Sequence, residues 1–565
     1  MLITFLKKSA LVGLIVLSFF GFGHLALGAE LKITKIIDFK DNQILFSYGG
    51  LEKQDNFLCQ LTNLACQNLG EKIPAEISKS FEETGSLSAK IKNLKFDRQN
   101  ATRLTLSPNE KWLAYYDAAL ANKEKIRKFV LVGLKNGEKI RTYELIGKVN
   151  YWDLLSEDLR LFSFSPDNTK LVYLDDRSGY PSLYSVNLTG TPPAGGRLPG
   201  KQITLKNYTI ADFLVWDKDI VYFTANRESD HLWALYRYDL ATKDVNKIAS
   251  NISYNQRMQN IDNKLLFLQI KNNSTVPALY DPELKTTSYF PSFPANPPVT
   301  GYTEKEIKLG KLGGILMQPA NYSATKKLPL FIWLHGGPYR EVSLGYHSYL
   351  GYAIYDWLMG EMAKNGALVL KLDYRGSYGY GRAFAEGIRS QVGKGDVADV
   401  MSALTELKKT KKIGPVYLVG NSYGGYLALK TIVENPKTFT GAMPINGVMD
   451  WFVLLDNLQN SIFNMEFGGL LEEGNSNLYY QADIADRVKN LSGQKIVIIQ
   501  AAADKTVPPS QADYIAKIFG LKNKPVELVK YLGEDHVFKK VSSLEDICHR
   551  LATMAGLSAG CNWSN

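Results

Sequence analysis

A short apolar segment runs directly into a serine flanked by glycines at residues 416–425, which read VYLVGNSYGG. The apolar residues are typical of a buried strand, and a helical pattern follows over residues 425–435. Glycine at positions 420 and 424 permits a turn so tight that side chains there would collide with neighbouring backbone. The stretch therefore predicts a strand, a sharp turn and a helix, with Ser422 strained at the turn and its hydroxyl exposed.

Strand and helix patterns alternate on both sides of this turn. Such alternation predicts a mostly parallel sheet covered by helices, and with the glycine-flanked serine it predicts an α/β-hydrolase domain. The predicted strands fall at residues 328–334, 367–372, 416–419 and 495–500, and one predicted helix falls at residues 397–408.

A different pattern fills residues 30–295, where a polar turn repeatedly precedes a short apolar or aromatic strand. Successive copies lie roughly 45 to 70 residues apart, close to the about 40 to 50 residues of one four-stranded propeller blade. One blade cannot bury both of its faces, whereas a closed ring of blades can. The pattern therefore predicts a β-propeller of about five to seven blades, with a pair of β-sandwiches as the alternative. The copies place strands at residues 44–46, 112–115, 171–173, 220–223 and 265–267.

Four prolines between residues 291 and 298 separate the two patterns. Proline is disfavoured inside helices and central strands, so such a cluster indicates a domain boundary. We therefore expect a propeller domain at residues 29–295 and an α/β-hydrolase domain at residues 296–565.

Residues 1–28 have the features of a secretory signal peptide: two lysines, an apolar stretch at residues 10–22, and small residues at positions 26, 28 and 29. The apolar run is shorter than the about 20 residues that span a bilayer, which disfavours the alternative of a retained membrane anchor. The protein is therefore expected to be exported, to the periplasm, the cell surface or the medium, with no stable membrane span after cleavage.

Export affects the interpretation of the four cysteines, because disulfides persist in oxidising compartments. Cys59 lies near Cys66 in the sequence, and Cys548 lies near Cys561. Two local bridges are the pairing that this spacing favours, with unpaired structural thiols as the alternative.

Charge and composition exclude several classes of function. The net charge of +10 comes from 66 basic and 56 acidic residues spread along the chain, which favours a solvated surface over a nucleic-acid site. The sequence has neither a flanked phosphate-binding loop nor His and Cys residues at ligand spacing, so no metal or organic cofactor is expected. The sequence leaves the oligomeric state open, a homo-oligomer included.

The chain has six histidines, and His536 is the predicted base that activates Ser422. It follows a strand predicted at residues 526–532, at the sheet edge where the active sites of this fold lie. His549, the other histidine after the serine, lies in a helical pattern. The fold orders its residues as serine, acid, histidine, which disfavours the remaining four: His24 in the signal segment, His231 in the propeller region, and His335 and His347 before the serine.

The acid is predicted between the serine and the histidine, where it can fix the imidazole tautomer. Asp504 fits best because it follows the strand at residues 495–500 after a short turn. Asp450 is the rival, with helix capping or pocket lining as its other interpretation.

The negative charge that develops on the attacked carbonyl needs hydrogen-bond donors. One is the backbone N–H of Tyr423, and the second is expected from the loop at residues 335–338, which reads HGGP. The ring of His335 either donates directly or packs and orients this loop.

In its motifs, the mature chain resembles the prolyl oligopeptidase family of serine peptidases, near its acylaminoacyl-peptidase and dipeptidyl-peptidase branches. The segments that carry the resemblance are residues 335–338, 373–384, 420–425, 466–469, 504–508 and 533–536.

The resemblance implies a propeller seated over the hydrolase domain, which admits short peptides and excludes folded proteins. It also implies that Tyr423, Trp451 and Phe452 line the pocket for the residue before the scissile bond, with plain packing as the alternative for Trp451 and Phe452. His335 stands where the family often supplies the second oxyanion donor.

Two departures from the family pattern concern the acid and histidine loops. Ala501 and Ala502 stand near the place where the family has His-Gly, and Asp535 replaces the usual glycine before the histidine. We hypothesise that a carboxylate beside His536 raises the pKa of its imidazole.

The dipeptidyl peptidases of the family bind the substrate amino terminus with a glutamate pair. Glu82 and Glu83 form the one adjacent pair in the propeller region, without the aromatic context of that motif, and are expected on a solvated helix face. The predicted function is an exported serine peptidase acting on short peptides. An esterase of the same fold and a catalytically silent binding protein are the alternatives.

Overall fold

The structure is a computed structural model that describes residues 33–40, 43–75, 78, 101–117, 128–135, 138–146, 160–189, 197–204, 207–254, 257–272, 274–296, 298–457, 467, 474–558 and 560–563. The predicted signal segment with His24, and the pair Glu82 and Glu83, lie outside these residues. No helix among the described residues is long and apolar enough to cross a membrane.

Five sheets, each built on an antiparallel meander, form the first half of the described chain. The first holds β1 (Ile33–Lys40), β2 (Gln43–Gly49), β3 (Gln54–Gln60) and β4 (Cys66–Gly70), and the second holds β5 (Ala101–Leu106), β6 (Trp112–Asp117), β7 (Lys128–Lys135) and β8 (Glu138–Ile146). The third holds β9 (Phe162–Phe164), β10 (Lys170–Asp175), β11 (Ser182–Asn187) and β13 (Lys201–Gln202), while β12 (Arg197–Pro199) joins the second sheet. The fourth holds β14 (Ile210–Val215), β15 (Ile220–Ala225), β16 (Ala234–Asp239) and β17 (Val245–Ser250), and the fifth holds β18 (Gln259–Ile261), β19 (Lys264–Lys271), β20 (Ser274–Asp281) and β21 (Thr286–Tyr289).

Each strand predicted from the repeated pattern is the second strand of one sheet. These strands are β2, β6, β10, β15 and β19. One copy of the pattern therefore marks one blade, and the described residues contain five blades of the predicted β-propeller.

Neighbouring blades are joined in two ways. The strand β12 pairs in parallel with β8 and so ties the chain of the third blade to the second blade by backbone hydrogen bonds. The first and last blades meet through aromatic rings, with Phe46 at 5.3 Å from Phe290 and Tyr48 at 4.9 Å from Phe293 between ring centroids. We call this contact the aromatic seam.

The second half of the chain forms one eight-stranded sheet, in the order β22-β23-β25-β24-β26-β27-β28-β29. The first two pairings are antiparallel and the rest are parallel, as the alternating pattern predicts. The strands are β22 (Tyr302–Leu309), β23 (Leu312–Pro319), β24 (Leu328–Leu334), β25 (Leu368–Asp373), β26 (Ile413–Asn421), β27 (Gly441–Ile445), β28 (Lys495–Ala501) and β29 (Glu527–Tyr531).

Helices cover both faces of this sheet. Apolar residues of α1 and α8, such as Leu358 and Leu551, are buried with one face, and residues of α3 and α4, such as Leu404 and Leu427, with the other. The helices are α1 (Leu350–Lys364), α2 (Arg382–Glu386), α3 (Gly395–Thr410), α4 (Tyr423–Glu434), α5 (Trp451–Asn457), α6 (Ser476–Ala482), α7 (Ser510–Leu521) and α8 (Val541–Ala555), with a 3-10 helix at Ala485–Asn490. The predicted combination of propeller and α/β-hydrolase domain is confirmed.

Two disulfides join the cysteines that are close in sequence. Cys59–Cys66 links β3 to β4, and Cys548–Cys561 links α8 to the C-terminal segment. The spacing of the cysteines therefore indicated the pairing that the structure has.

Candidate active site

Ser422 lies between the end of β26 and the start of α4. Its backbone has φ 58° and ψ −119°, values that residues other than glycine rarely adopt. Its N–H donates to the carbonyl oxygen of Ile445 at 2.9 Å. The residue is partly exposed, and the strained turn between strand and helix has the geometry of a nucleophile elbow.

Two glycines make this turn possible. A Cβ atom on Gly424 would stand 1.9 Å from the carbonyl oxygen of Leu334, and one on Gly420 would stand 2.3 Å from the carbonyl oxygen of Gly424. Both obstacles are backbone atoms, which cannot rotate away as a side chain can. The close approach brings the strand end and the loop after β24 together around Ser422.

Asp504 and His536 form a carboxylate–imidazole pair at the same edge of the sheet. Oδ2 of Asp504 lies 2.7 Å from Nδ1 of His536. Oδ1 accepts the N–H groups of Thr506 and Val507, each at 2.8 Å. An ionised Asp504 requires the proton on Nδ1, which leaves Nε2 of the imidazole able to accept a proton.

Asn446 connects the histidine loop to the serine turn, a role that the sequence analysis missed. Its side-chain amide donates to the carbonyl oxygen of His536 at 3.0 Å and accepts the N–H of Ala501 at 2.7 Å. The preceding residue, Ile445, holds the N–H of Ser422. Two consecutive residues at the end of β27 therefore bind the serine turn and the histidine loop. The available sequence signal was a polar residue directly after a buried strand.

The carboxylate of Asp535 accepts backbone hydrogen bonds from two loops. Its Oδ1 accepts the N–H of His536 at 2.7 Å and that of Lys505 at 3.4 Å. The residue that departs from the family pattern thus joins the acid loop to the histidine loop.

The rival candidates lie elsewhere. Asp450 accepts the N–H groups of Phe452 and Val453 at 2.9 and 3.2 Å, and so caps α5, as its other interpretation held. Burial raises the pKa of Asp450. His549 lies on the exposed side of α8.

The backbone N–H of Tyr423 belongs to the first turn of α4, where N–H groups have no partner within the helix. The loop after β24 lies against the serine, since a Cβ atom on Gly336 would stand 3.2 Å from the Cβ of Ser422. The ring of His335 is fully buried, with Nε2 at 2.8 Å from Oγ of Ser377 and Nδ1 at 2.8 Å from the carbonyl oxygen of Gly336. Both ring nitrogens have partners other than Ser422, which favours an orienting role for His335.

An aromatic cluster adjoins the serine turn. The ring of Trp451 packs 5.8 Å from that of Tyr423 and 5.4 Å from that of Phe467, and Trp451 is 2% exposed. Phe452 packs against Tyr479 at 5.3 Å, and Tyr479 in turn stacks on Phe467 at 4.4 Å. The structure thus brings Tyr423 and Trp451 together and places Phe452 at the margin.

Asp396 is a second residue that the sequence analysis missed. It is fully buried, and its Oδ2 accepts the hydroxyl of Tyr423 at 2.6 Å. Burial raises the pKa of Asp396 to about 6, although the hydrogen bond from Tyr423 opposes the rise. The aromatic cluster therefore has a carboxyl group beneath the residue that follows the serine.

Residues 354–555 match the prolyl oligopeptidase family, and His335 and Gly336 precede the matched segment. The chain carries a prolyl oligopeptidase family domain. This family domain holds Ser422, Asp504 and His536 together with the aromatic cluster, so the resemblance inferred from the motifs is confirmed.

Relatives of the family domain include the acylamino-acid-releasing enzyme of Sus scrofa, 25% identical over 242 residues, and dipeptidyl aminopeptidase BIII of Pseudoxanthomonas mexicana, 29% identical over 229 residues. The first match covers 41% of this chain and 32% of the relative, and the second covers 38% and 31%. The chain thus matches about a third of the length of these relatives.

A solved structure of a puromycin-hydrolyzing peptidase from Mycobacterium tuberculosis has the same fold. It superimposes with a TM-score of 0.65 and 16% identity, over 93% of this chain and 79% of that chain. The likeness extends over both the propeller and the family domain.

Proposed function

We propose that the protein is an exported serine peptidase that hydrolyses short peptides through an acyl-enzyme intermediate. Ser422 is the nucleophile, His536 the general base and Asp504 the acid that orients the imidazole. The observation that carries the proposal is the 2.7 Å contact between Asp504 and His536, on a loop that Asn446 ties to the strained turn of Ser422, inside a prolyl oligopeptidase family domain.

The reaction follows from the roles of these groups. Nε2 of His536 takes the proton of the Ser422 hydroxyl as Oγ attacks the scissile carbonyl, and Asp504 stabilises the imidazolium that forms. The imidazolium then gives its proton to the leaving amine, and an ester bond to Ser422 remains. Water, deprotonated by the same imidazole, hydrolyses that ester and restores the serine.

Backbone donors stabilise the oxyanion in this scheme. The N–H of Tyr423 is the first donor, and the loop at residues 335–338 supplies the second from its backbone, with His335 orienting it. Tyr423 and Trp451 line the pocket for the residue before the scissile bond, and Phe452 lies at its rim. An aromatic wall favours an apolar side chain in the substrate.

The division of the chain into a propeller at residues 29–295 and a catalytic domain at residues 296–565 is part of the proposal. The propeller limits access, so short peptides reach Ser422 and folded proteins do not. The names of the relatives, an aminopeptidase and a peptidase among them, support peptide substrates. The two disulfides support export after removal of residues 1–28.

The test is labelling with a fluorophosphonate probe, followed by digestion of a mixed peptide library and a parallel panel of esters. Wild-type protein should be labelled and should cleave peptides, and Ser422→Ala should do neither. Labelling that survives in Ser422→Ala would show that another residue is the nucleophile. Cleavage of esters alone would establish the esterase alternative, and a wild type that is not labelled would establish a silent binding protein.

A further inference from the structure

His231 belongs to the propeller but is buried against the catalytic domain. It lies between β15 and β16 of the fourth blade and is 2% exposed. Its Nδ1 is 2.9 Å from Oε1 of Glu306 on β22, and its Nε2 is 3.1 Å from Oδ2 of Asp373 at the end of β25. One propeller side chain therefore contacts two carboxylates of the other domain.

Nε2 of His231 also lies 2.9 Å from the hydroxyl oxygen of Tyr380. Both carboxylate contacts are hydrogen bonds when the imidazole is protonated. Burial lowers the pKa of His231, but the hydrogen bonds to Asp373 and Glu306 outweigh burial and raise it to about 9. A protonated ring donates from both nitrogens, whereas a neutral ring donates from one. At neutral pH His231 is thus a cation between Asp373 and Glu306.

Asp373 uses its two oxygens on opposite sides. Oδ2 faces the propeller side, where it accepts a hydrogen bond from the hydroxyl of Tyr380 at 2.8 Å and lies 3.1 Å from Nε2 of His231. Oδ1 accepts the N–H of Val342 at 3.0 Å and lies 3.4 Å from Nε2 of His335. Asp373 therefore connects His231 to the loop that follows β24.

The same loop touches His231 directly and ends against the serine. The N–H of Leu344 donates to the carbonyl oxygen of His231 at 3.0 Å. At the other end of the loop, Gly336 lies against Ser422. We call residues 335–344 the oxyanion loop.

We propose that His231 is a positioning residue of the propeller, which holds the oxyanion loop in register with Ser422 through the two oxygens of Asp373. The proposal rests on the proposed function, because the loop has this role only if Ser422 reacts with a carbonyl. The propeller is then a structural part of the active site as well as a barrier to large substrates.

The physical reason is the cost of an unpaired buried charge. Without His231, the carboxylate of Asp373 has no cation from the propeller, and breaking a buried pair in this way is strongly unfavourable. The Asp373 carboxylate would take up a proton or shift toward solvent. Either change alters Oδ1 of Asp373, which accepts the N–H of Val342. Oxyanion donors act only when they are fixed at the correct distance, so a shifted loop lowers the rate of the chemical step.

The test is a double-mutant cycle with His231→Gln, Asp373→Asn and the combined variant, with turnover expressed per titrated serine. Titration with a fluorophosphonate counts only competent sites, so unfolded protein does not enter the result. We expect His231→Gln to lower kcat by about 10- to 100-fold, with KM changed by less than about threefold. In the Asp373→Asn background, His231→Gln should lower kcat by less than about threefold, because the negative charge that His231 balances is already gone.

Thr209→Val is the matched control. Oγ of Thr209 donates to the carbonyl oxygen of Gly379 across the same domain interface and does not contact Asp373, so its kcat should stay near that of the wild type. If His231→Gln does not fold, the combined variant and Asp373→Asn are compared alone, and their kcat values should differ by less than about threefold.

Two results would overturn the inference while leaving the peptidase intact: a kcat near wild type in His231→Gln, or losses that multiply in the combined variant. A wild type that is neither labelled nor active overturns the proposed function, and the positioning role falls with it.

Discussion

The loop that carries Asp504 and the interface with the propeller are held by different kinds of interaction. In that loop, the Asp504 carboxylate accepts the backbone N–H groups of Thr506 and Val507, two and three residues further along the chain. At the interface, His231 is held by charged side chains from distant parts of the chain. Local hydrogen bonds can be anticipated from adjacent residues in a sequence, whereas the interface exists only after both domains have folded and met.

The largest effect is expected from Asp504→Asn, which tests whether a locally held carboxylate is the acid. The amide favours the wrong tautomer of His536, so kcat should fall by about 10,000-fold. Steady-state kinetics on a peptide that the wild type cleaves would measure it. Asp450→Asn is the control, because asparagine caps a helix about as well as aspartate does. A large loss in the control with little change in Asp504→Asn would reassign the acid to Asp450.

A change at the serine turn tests how strictly local geometry is fixed. Gly424→Ala should lower the free energy of unfolding by about 3 kcal/mol or more, because its Cβ would collide with the backbone of Leu334. Gly520→Ala, in α7 with no atom near the added Cβ, should instead stabilise by up to about 1 kcal/mol. Denaturant unfolding measures both. Equal stability of the two variants would mean that the turn relaxes more easily than its contacts indicate.

The contacts of His231 at the interface should make the stability of the protein depend on pH. The pKa of His231 is raised to about 9 from an unfolded value near about 6.5. The contribution of His231 to the free energy of unfolding is therefore complete below pH about 6.5 and is lost as the pH rises through about 9. The free energy of unfolding changes by roughly 3 kcal/mol over this range. The melting temperature of the wild type should fall over this range relative to His231→Gln. Parallel curves for the two proteins would show that His231 is not charged in the fold.

The two disulfides give the smallest contrast between the domains. Cys548 and Cys561 are 13 residues apart and Cys59 and Cys66 are 7 apart. Loop entropy predicts losses of about 3 and about 2 kcal/mol when each pair is replaced by serine. Thermal unfolding of the two double variants measures this difference. A larger loss for the propeller pair would mean that factors other than loop length dominate there.

Much of the fold followed from the sequence because its signals are local. Each of five short repeats marked the second strand of a blade, and residues 328–334 bound β24 as predicted. The helix after Ser422 begins at Tyr423, two residues before its apolar pattern, because the turn itself sets the first helical residues in place.

The residues that were missed depend on contacts between distant segments. Asn446 and Asp396 are single polar residues next to buried elements, and nothing nearby in the sequence indicates that they meet His536 and Tyr423. His231 was assigned to the propeller and given no further role, because its partners lie on β22 and β25. The role of His335 also depended on Ser377, whose hydroxyl lies across the loop.

The aromatic seam between the first and last blades has a consequence for behaviour in the cold. Its ring contacts, such as that of Phe46 with Phe290, depend on burying apolar surface, whereas β12 and β8 are joined by backbone hydrogen bonds. Apolar burial weakens on cooling because it carries a large heat-capacity change. On cooling, the propeller should therefore open first at the aromatic seam, where the first and last blades meet, while the junction between the second and third blades stays closed.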